Sequence, residues 1–324
     1  MRLKRWLIAC CVLALAACGG ATAPAPTGPV TVRLPVAYIA HVQFAPFYVA
    51  VERGYFAREN IAIEFDYKFE TDGVKLVAAN ALPFALASGE QVVLARAQGL
   101  PVTYVLQWYC TYPIAVFAPT SLGLRSAADL KGKRVGLPGL FGATYVGWRA
   151  WLAQEGVRES DVRQEVIGFT QREAVQQGRV DAAVGYANNE PVALAASGFP
   201  VDVIVLGERV PLVGNGLITN ETVLRDNPAL VRGMTRAILA GVRDSLADPD
   251  AAMRIAARHV EGLSADDPVQ RKVLQASLAL MQAPGCPGPT SPAHWASTQA
   301  ALIEMGQLDR ALDPTTFYSN DYLP

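Results

Sequence analysis

The sequence predicts an α/β protein built from two lobes that are joined by two hinge crossings. From residue 31 onward, strand-like apolar runs alternate with helical runs, an order typical of a mostly parallel sheet covered by helices. The alternation breaks where VTYVLQWY and PIAVFAPTS follow each other, and we interpret this break as a crossing to a second lobe. About 295 residues follow the leader and linker, more than one hydrophobic core usually holds.

The amino-terminal segment is typical of an export signal. A basic start, RLKR, precedes the apolar run WLIACCVLALAA, which is too short to span a bilayer as a permanent helix. The run ends in LAAC followed by two glycines, a pattern that resembles a bacterial lipoprotein box. We therefore predict a signal peptide at 1–17 and acylation of Cys18. The alternative is an ordinary secretion signal with an incidental cysteine.

A flexible tether is predicted at 18–29, where GGATAPAPTGP has no apolar periodicity. No later stretch is long and apolar enough to predict a transmembrane helix. We therefore expect the body of the protein to be lipid-anchored at the cell membrane and to face outside the cytoplasm.

The first lobe is predicted at 30–115 and 215–324. Its strands are TVRLPVAYI, IAIEFDYKFE, FALAS and VTYVLQWY, with helices APFYVAVERGYFARE, TDGVKLVAAN (begun by Thr71 or Asp72) and GEQVVLARAQG between them. NGLITN is interpreted as the return crossing, and the almost entirely helical segment after it is expected to cover this lobe.

The second lobe is predicted at 116–214. Its strands are KRVGLPG, RQEVIGF, DAAVGY and VDVIVL, and its helices are ATYVGWRAWLAQEG, QREAVQQG and EPVALAASG. In such sheets ligands bind outside the carboxyl ends of the strands, so the cleft between the lobes is the expected site.

Composition excludes several classes of function. A formal net charge of −1 and the lack of a long basic run argue against a nucleic-acid partner. The three histidines and the remaining cysteines show no metal-ligand spacing, so neither a metal nor a cofactor is expected. No nucleophile elbow or paired-acid motif predicts an enzyme. Cys110 and Cys286 remain after the leader, and the sequence leaves open whether they pair.

The most informative stretch is GYANNEP, at the end of the predicted strand DAAVGY. Helix capping by Asn189, with Glu190 in the first turn, is the alternative explanation, but it requires neither the tyrosine nor the second amide. Amides and a carboxylate can pair with the edge of a planar heterocycle, and aromatic rings can stack on its faces. We predict ligand contacts from Tyr186, Asn188, Asn189 and Glu190.

Other candidates lie at further strand ends. Gln43 and Phe44 follow the first strand and are better candidates than the lone His41. QWY ends the last strand before the first crossing, and strand alternation places Trp108 and Tyr109 on opposite faces, one of them in the core.

The second lobe contributes a strand–glycine–helix junction, GLPGLFGATY. Gly142 lets backbone N–H groups face a ligand, and Phe141 and Tyr145 are expected to line the cleft. The junction lacks the Lys-Ser/Thr of a phosphate loop, so a neutral ligand suits it. Asn215 is expected to reach the cleft from the return crossing.

Four segments carry a family resemblance: FAPFYVAVERGYFARENIAIEF (44–65), ALPFALASGEQVVLARAQGLPV (81–102), SAADLKGKRVGLPGLFG (126–142) and GYANNEP (185–191). In this order they resemble the substrate-binding lipoproteins of ABC importers, within the thiamine-precursor-synthase-like superfamily. The resemblance implies a two-lobed periplasmic-binding-protein-like (type II) fold, and a monomer that captures a small vitamin and delivers it to an ABC transporter permease.

The ligand is expected to be a planar heteroaromatic vitamin. GLPGLFGATYVGW is similar to the riboflavin-binding branch, which makes riboflavin the leading hypothesis, whereas GYANNEP resembles the branch that binds thiamine pyrimidine precursors of the formylaminopyrimidine type. A pyrimidine synthase is disfavoured because the family's cysteine-rich iron-site stretch has no match here. An alkylsulfonate-binding protein would be expected to have a basic cleft.

Overall fold

The computed structural model describes residues 28–324. The predicted signal peptide, Cys18 and the tether up to residue 27 lie outside the described residues. Within this range the chain forms twelve α-helices and ten strands, and the strands are arranged in three sheets. None of the described helices combines the length and the hydropathy needed to cross a membrane.

The strands are short and mostly buried. They are β1 (Val30–Pro35), β2 (Ile61–Asp66), β3 (Ala85–Ser88), β4 (Val102–Gln107), β5 (Ile114–Pro119), β6 (Arg134–Leu137), β7 (Arg163–Val166), β8 (Ala182–Tyr186), β9 (Val201–Val205) and β10 (Asn215–Asn220).

The helices pack on both faces of the strands. They are α1 (Ala45–Glu52), α2 (Tyr55–Arg58), α3 (Glu70–Ala78), α4 (Gly89–Ala97), α5 (Gly142–Gln154), α6 (Gln171–Gln176), α7 (Glu190–Ala196), α8 (Glu221–Asp226), α9 (Pro228–Ala247), α10 (Pro249–His259), α11 (Pro268–Ala279) and α12 (Pro292–Glu304).

Strand pairing divides the described elements into two groups. β1 pairs with β2 in parallel, and β10 lies antiparallel between β3 and β4. The second group is a five-stranded sheet in the order β7-β6-β8-β5-β9. Below, the first lobe means β1–β4, β10 and their helices, and the second lobe means β5–β9 and theirs.

The predicted α/β fold class is confirmed, and the strands mostly run in the same direction within their sheets, with β5 and β10 as the exceptions. β5 runs antiparallel to both β8 and β9, and β10 runs antiparallel to both its neighbours. These two strands follow the crossings, and each enters its sheet from the end opposite to the other strands. Because β5 begins at Ile114, which pairs with Tyr186, the predicted boundary between residues 115 and 116 lies inside a strand and the crossing precedes Ile114. The other predicted boundaries of the two lobes stay a prediction.

Two helices differ from the sequence prediction. The run APFYVAVERGYFARE is divided into α1 and α2 at Gly54, whose φ of +70° a glycine adopts at little cost. Helix α3 begins at Glu70, before the predicted starts at Thr71 and Asp72, and its cap residue is Phe69. The shift matters because it places Glu70 and Phe69 at the end of β2, beside the site described below.

The carboxyl-terminal helices cover more than the first lobe. α9 and α10 pack on α1, as expected, whereas α12 packs on both α4 and α5 and so contacts both lobes. Trp295 of α12 is fully buried and packs against Tyr104 and Phe317. Cys110 and Cys286, whose pairing the sequence left open, form a disulfide with Cα atoms 5.7 Å apart. It joins the first crossing to the loop that precedes α12.

Candidate ligand-binding site

A cavity of about 750 Å³, partly open to solvent, lies where strand ends of the two lobes meet. This volume includes the space that is open to solvent. We call it the aromatic chamber, because eight of its lining residues are aromatic: Tyr38, Phe44, Phe69, Trp108, Tyr109, Phe141, Phe169 and Tyr186.

Ten of the twelve predicted ligand-binding residues line this chamber. They are Gln43, Phe44, Trp108, Tyr109, Phe141, Gly142, Tyr186, Asn189, Glu190 and Asn215. They come from five strand ends or crossings of both lobes, as the rule for carboxyl ends of strands predicts. Their role in binding stays a prediction.

The other two predicted residues lie outside the lining. Tyr145 is turned away along α5, and its hydroxyl donates to Glu159 Oε2 at 3.0 Å. Asn188 is buried behind the chamber, where its Nδ2 donates to Ser277 Oγ at 2.8 Å. The prediction that these side chains face the cleft is therefore wrong for this structure. Tyr145 directly follows the lining residues of α5, and Asn188 lies in the tight turn after β8, and both side chains lie outside the cavity wall.

Trp108 and Tyr109 do not alternate across a sheet. β4 ends at Gln107, and the N–H groups of both aromatic residues donate to the carbonyl of Asn215, at 2.9 and 3.0 Å. Their rings stack with centroids 4.1 Å apart and 17° between the planes. Phe44 also stacks on Trp108, with ring centroids 5.7 Å apart. The predicted split of this pair between site and core is therefore wrong, and both residues line the chamber.

Glu190 provides the buried acid of the chamber. Its Oε2 accepts a hydrogen bond from the backbone N–H of Tyr186 at 2.9 Å, and its Oε1 accepts one from Asn189 Nδ2 at 3.3 Å. Burial raises the pKa of the Glu190 carboxyl to about 7. Asn189 occupies the cap position of α7 but makes no capping hydrogen bond through its side chain. Capping by Asn189 therefore does not explain this amide.

Gly185 makes room for that carboxyl group. A Cβ atom at this position would lie 2.7 Å from Glu190 Oε2 and 3.1 Å from Phe117 Cε1. Separations under 3.0 Å force a displacement, so a side chain at 185 would move the carboxyl group. The glycine in GYANNEP is therefore part of the site.

Asn215 connects the two lobes at the chamber. Its Nδ2 donates to the hydroxyl of Tyr186 at 3.2 Å, while its Oδ1 is buried and finds no partner within residues 28–324. A buried acceptor without a donor costs about 1–3 kcal/mol. The oxygen is thus a candidate acceptor for an N–H group of a ligand.

Three aromatic residues of the chamber were missed by the sequence analysis. Phe169 packs edge to face on Tyr38, with centroids 4.8 Å apart, and lies 5.0 Å from Phe69. Phe69 in turn contacts Phe141 at 5.1 Å. These contacts join the lobes over the cavity. Tyr38, Phe69 and Phe169 each follow the end of β1, β2 or β7, so a search of all strand ends would have found them.

A buried acidic pair supports the floor of the chamber. Glu70 lines the cavity, and the hydroxyl of Ser88 contacts the carboxyl groups of both Glu70 and Glu90. Burial, and then the neighbouring Glu70, raise the pKa of Glu90 to about 8. Among the described residues, no three His, Cys, Asp or Glu side chains are grouped so that they could hold a metal ion.

Comparison with known proteins assigns the family. The family model described as NMT1/THI5 like matches residues 41–252. The chain belongs to this family. Within it, the riboflavin-binding protein RibY of Chloroflexus aurantiacus is 39% identical over 93% of this chain and 89% of its own length. The formylaminopyrimidine-binding protein of Halalkalibacterium halodurans is 29% identical over 83% of this chain and 82% of its own.

A solved structure agrees with the fold. The alkanesulfonate-binding protein SsuA of Xanthomonas axonopodis pv. citri, with MOPS bound, superposes with a TM-score of 0.71 at 18% identity, over 90% of this chain and 99% of that one. The predicted resemblance and the periplasmic-binding-protein-like fold are thereby confirmed. The NMT1/THI5-like chain described here is a substrate-binding protein.

Proposed function

We propose that this protein binds a planar heteroaromatic vitamin in the aromatic chamber, with riboflavin as the leading ligand. One observation carries the proposal: eight aromatic side chains from both lobes surround a cavity whose polar groups include amides and buried carboxyl groups. Such groups pair with the edge of a flat ring in its own plane, and the aromatic rings contact its faces. The 39% identity to RibY supports riboflavin over other vitamins.

The charge of the chamber favours a neutral ligand over a sulfonate. Glu70 and Glu190 line it, and among its lining residues in the described chain there is no lysine or arginine. An anionic ligand would meet these carboxyl groups without a compensating cation. A thiamine pyrimidine precursor of the formylaminopyrimidine type remains the second candidate, favoured by the 29% identity to a protein that binds one.

We further propose that the protein acts without chemistry, as the monomeric binding component of an ABC importer that faces outside the cytoplasm. Lipid on Cys18 would hold it at the membrane, and closure of the lobes on a ligand would present the vitamin to the permease. A Cys18→Ser variant is expected to move from the membrane to the soluble fraction. Unchanged membrane association of this variant would contradict the anchor.

The ligand is tested by releasing whatever co-purifies with the protein and recording its absorbance and mass. A yellow, fluorescent compound with the mass of riboflavin is expected, whereas a colourless pyrimidine would select the second candidate. Calorimetry with added riboflavin then compares Tyr186→Ala with Tyr145→Ala, a matched change outside the lining. Only the first is expected to weaken binding, and equal affinities would remove Tyr186 from the site.

A further inference from the structure

A second cavity, of about 520 Å³, adjoins the aromatic chamber. Four residues line both cavities and form the wall between them: Tyr38, Phe169, Asn189 and Glu190. A ligand that occupies both spaces must therefore pass along these four side chains. We call the second cavity the polar chamber, because its remaining lining includes His41, Arg172, Glu173 and Gln270, with exposed Ile39 at its rim.

The polar chamber contains a free hydrogen-bonding group. Gln270 projects from α11, and its Oε1 is buried without a hydrogen-bond partner in the described part of the chain. Because a buried acceptor left unpaired is costly, this oxygen favours a ligand that brings a donor. A hydroxyl group meets that need, since it can donate to Gln270 and accept from a neighbouring donor.

The charges of the polar chamber compensate each other. Arg172 is paired with Glu173 through Nη2 and Oε1, 2.8 Å apart. Burial, and to a smaller degree the charge of Arg172, lower the pKa of His41 to about 4, so this imidazole is neutral at pH 7. Among the described residues that line the polar chamber, the one cationic side chain, Arg172, is thus paired with an acid, and Glu190 adds a further carboxyl group.

We propose that the polar chamber receives an uncharged, hydroxyl-bearing chain attached to the planar ring that the aromatic chamber binds. The inference rests on the proposed function, because it needs the ring to lie against the shared wall. It adds a second recognition element, so that the protein selects the side chain of the vitamin as well as its ring. A phosphate ester of the same chain is disfavoured, because it would meet the carboxyl groups of Glu173 and Glu190.

Three flavins test the proposal with wild-type protein. Riboflavin carries ring and hydroxylated chain, lumichrome lacks the chain, and FMN carries it with a terminal phosphate. By calorimetry we expect riboflavin to bind about tenfold or more tightly than either of the others, as a few additional hydrogen bonds imply. Equal affinities for riboflavin and lumichrome would overturn the inference and leave the proposed function intact. Equal affinities for riboflavin and FMN would overturn the selection against charge.

A pair of variants on α11 locates the effect. Gln270→Leu is expected to weaken riboflavin binding about fivefold, the loss of one hydrogen bond, with lumichrome unaffected. Gln275→Leu changes an exposed glutamine of the same helix and is expected to affect neither flavin. An equal loss of both flavins in Gln270→Leu would assign Gln270 to the ring or to the fold. Failure of all three flavins to bind would instead reject the proposed function, and with it this inference.

Discussion

The side-chain amide of Asn188 donates a hydrogen bond to Ser277 Oγ at 2.8 Å and so ties the turn after β8 to helix α11. The same Nδ2 lies 3.3 Å from the hydroxyl of Tyr109 and 3.4 Å from Gln43 Oε1. All four residues are buried. An amide in the most informative stretch of the sequence therefore links the second lobe to the first, behind the chamber wall.

A double-mutant cycle on Asn188 and Ser277 tests this link. We expect Asn188→Ala and Ser277→Ala each to lower the free energy of unfolding by about 1–2 kcal/mol, because each leaves a buried partner unpaired. The double variant should lose about 1 kcal/mol less than the sum of the two. Urea unfolding followed by tryptophan fluorescence measures all three values. Additive losses would show that the two side chains stabilise the fold independently.

The affinity for riboflavin is expected to depend on pH through Glu190. Burial raises the pKa of this carboxyl to about 7, and the ionised form is the better acceptor for a ring N–H group. Affinity should therefore rise with pH and level off above about pH 7, by at most about tenfold per pH unit below the pKa. Glu190→Gln should bind more weakly above pH 7 and show a flat profile. An unchanged profile in this variant would assign the titration to another group.

Gly185→Ala is expected to weaken ligand binding by displacing the Glu190 carboxyl group. The added Cβ would lie 2.7 Å from Oε2, closer than any relaxed contact. We expect a loss of about tenfold, similar to that of one charge-assisted hydrogen bond, with the far-ultraviolet circular dichroism retained. If the change acts through Glu190, combining it with Glu190→Gln should cost no more than the larger single effect. A fully additive loss would contradict this route.

Stability is expected to fall as pH rises, because of Glu90. Its pKa is about 8 in the folded protein against an ordinary value of 4.5, so the folded state keeps a proton that the unfolded state loses. Stability is then highest below the lower value and declines towards the higher one. Glu90→Gln should raise the free energy of unfolding at pH 8 by about 1–3 kcal/mol. Thermal melts at pH 5.5 and 8, with exposed Glu155→Gln as control, check this. A slope as steep in Glu90→Gln as in the wild type would contradict it, because Glu190, whose pKa is also raised, accounts for only a part of the slope.

The disulfide is expected to contribute substantially to stability. Cys110 and Cys286 are 176 residues apart in sequence, and closing so long a loop restricts the unfolded chain. Replacing both by serine should lower the free energy of unfolding by about 2–5 kcal/mol. Treating the wild-type protein with a reducing agent should reproduce the loss. A denaturation midpoint that neither change moves would show that the bridge adds nothing.

Individual elements show how far the sequence predicted this site. GYANNEP identified Tyr186, Asn189 and Glu190, because polar residues that directly follow a buried strand lie at the edge of the sheet. The same rule failed for Asn188, because the tight turn after β8 directs this side chain away from the chamber. A different rule, strand alternation, failed for Trp108 and Tyr109, because β4 ends at Gln107, before these two residues.

By itself the sequence determined the α/β class, the family and ten of the residues that line the aromatic chamber, since these depend on local periodicity and on where strands end. Only the tertiary structure decided that Tyr38 and Phe169 meet over the chamber, that Asn188 reaches Ser277, and that a polar chamber adjoins the aromatic one. Each of these joins segments that are far apart in the sequence. The reason is physical. The local pattern determines on which side of its own helix or strand a side chain lies, but the packing of the whole chain determines which residues that side chain contacts.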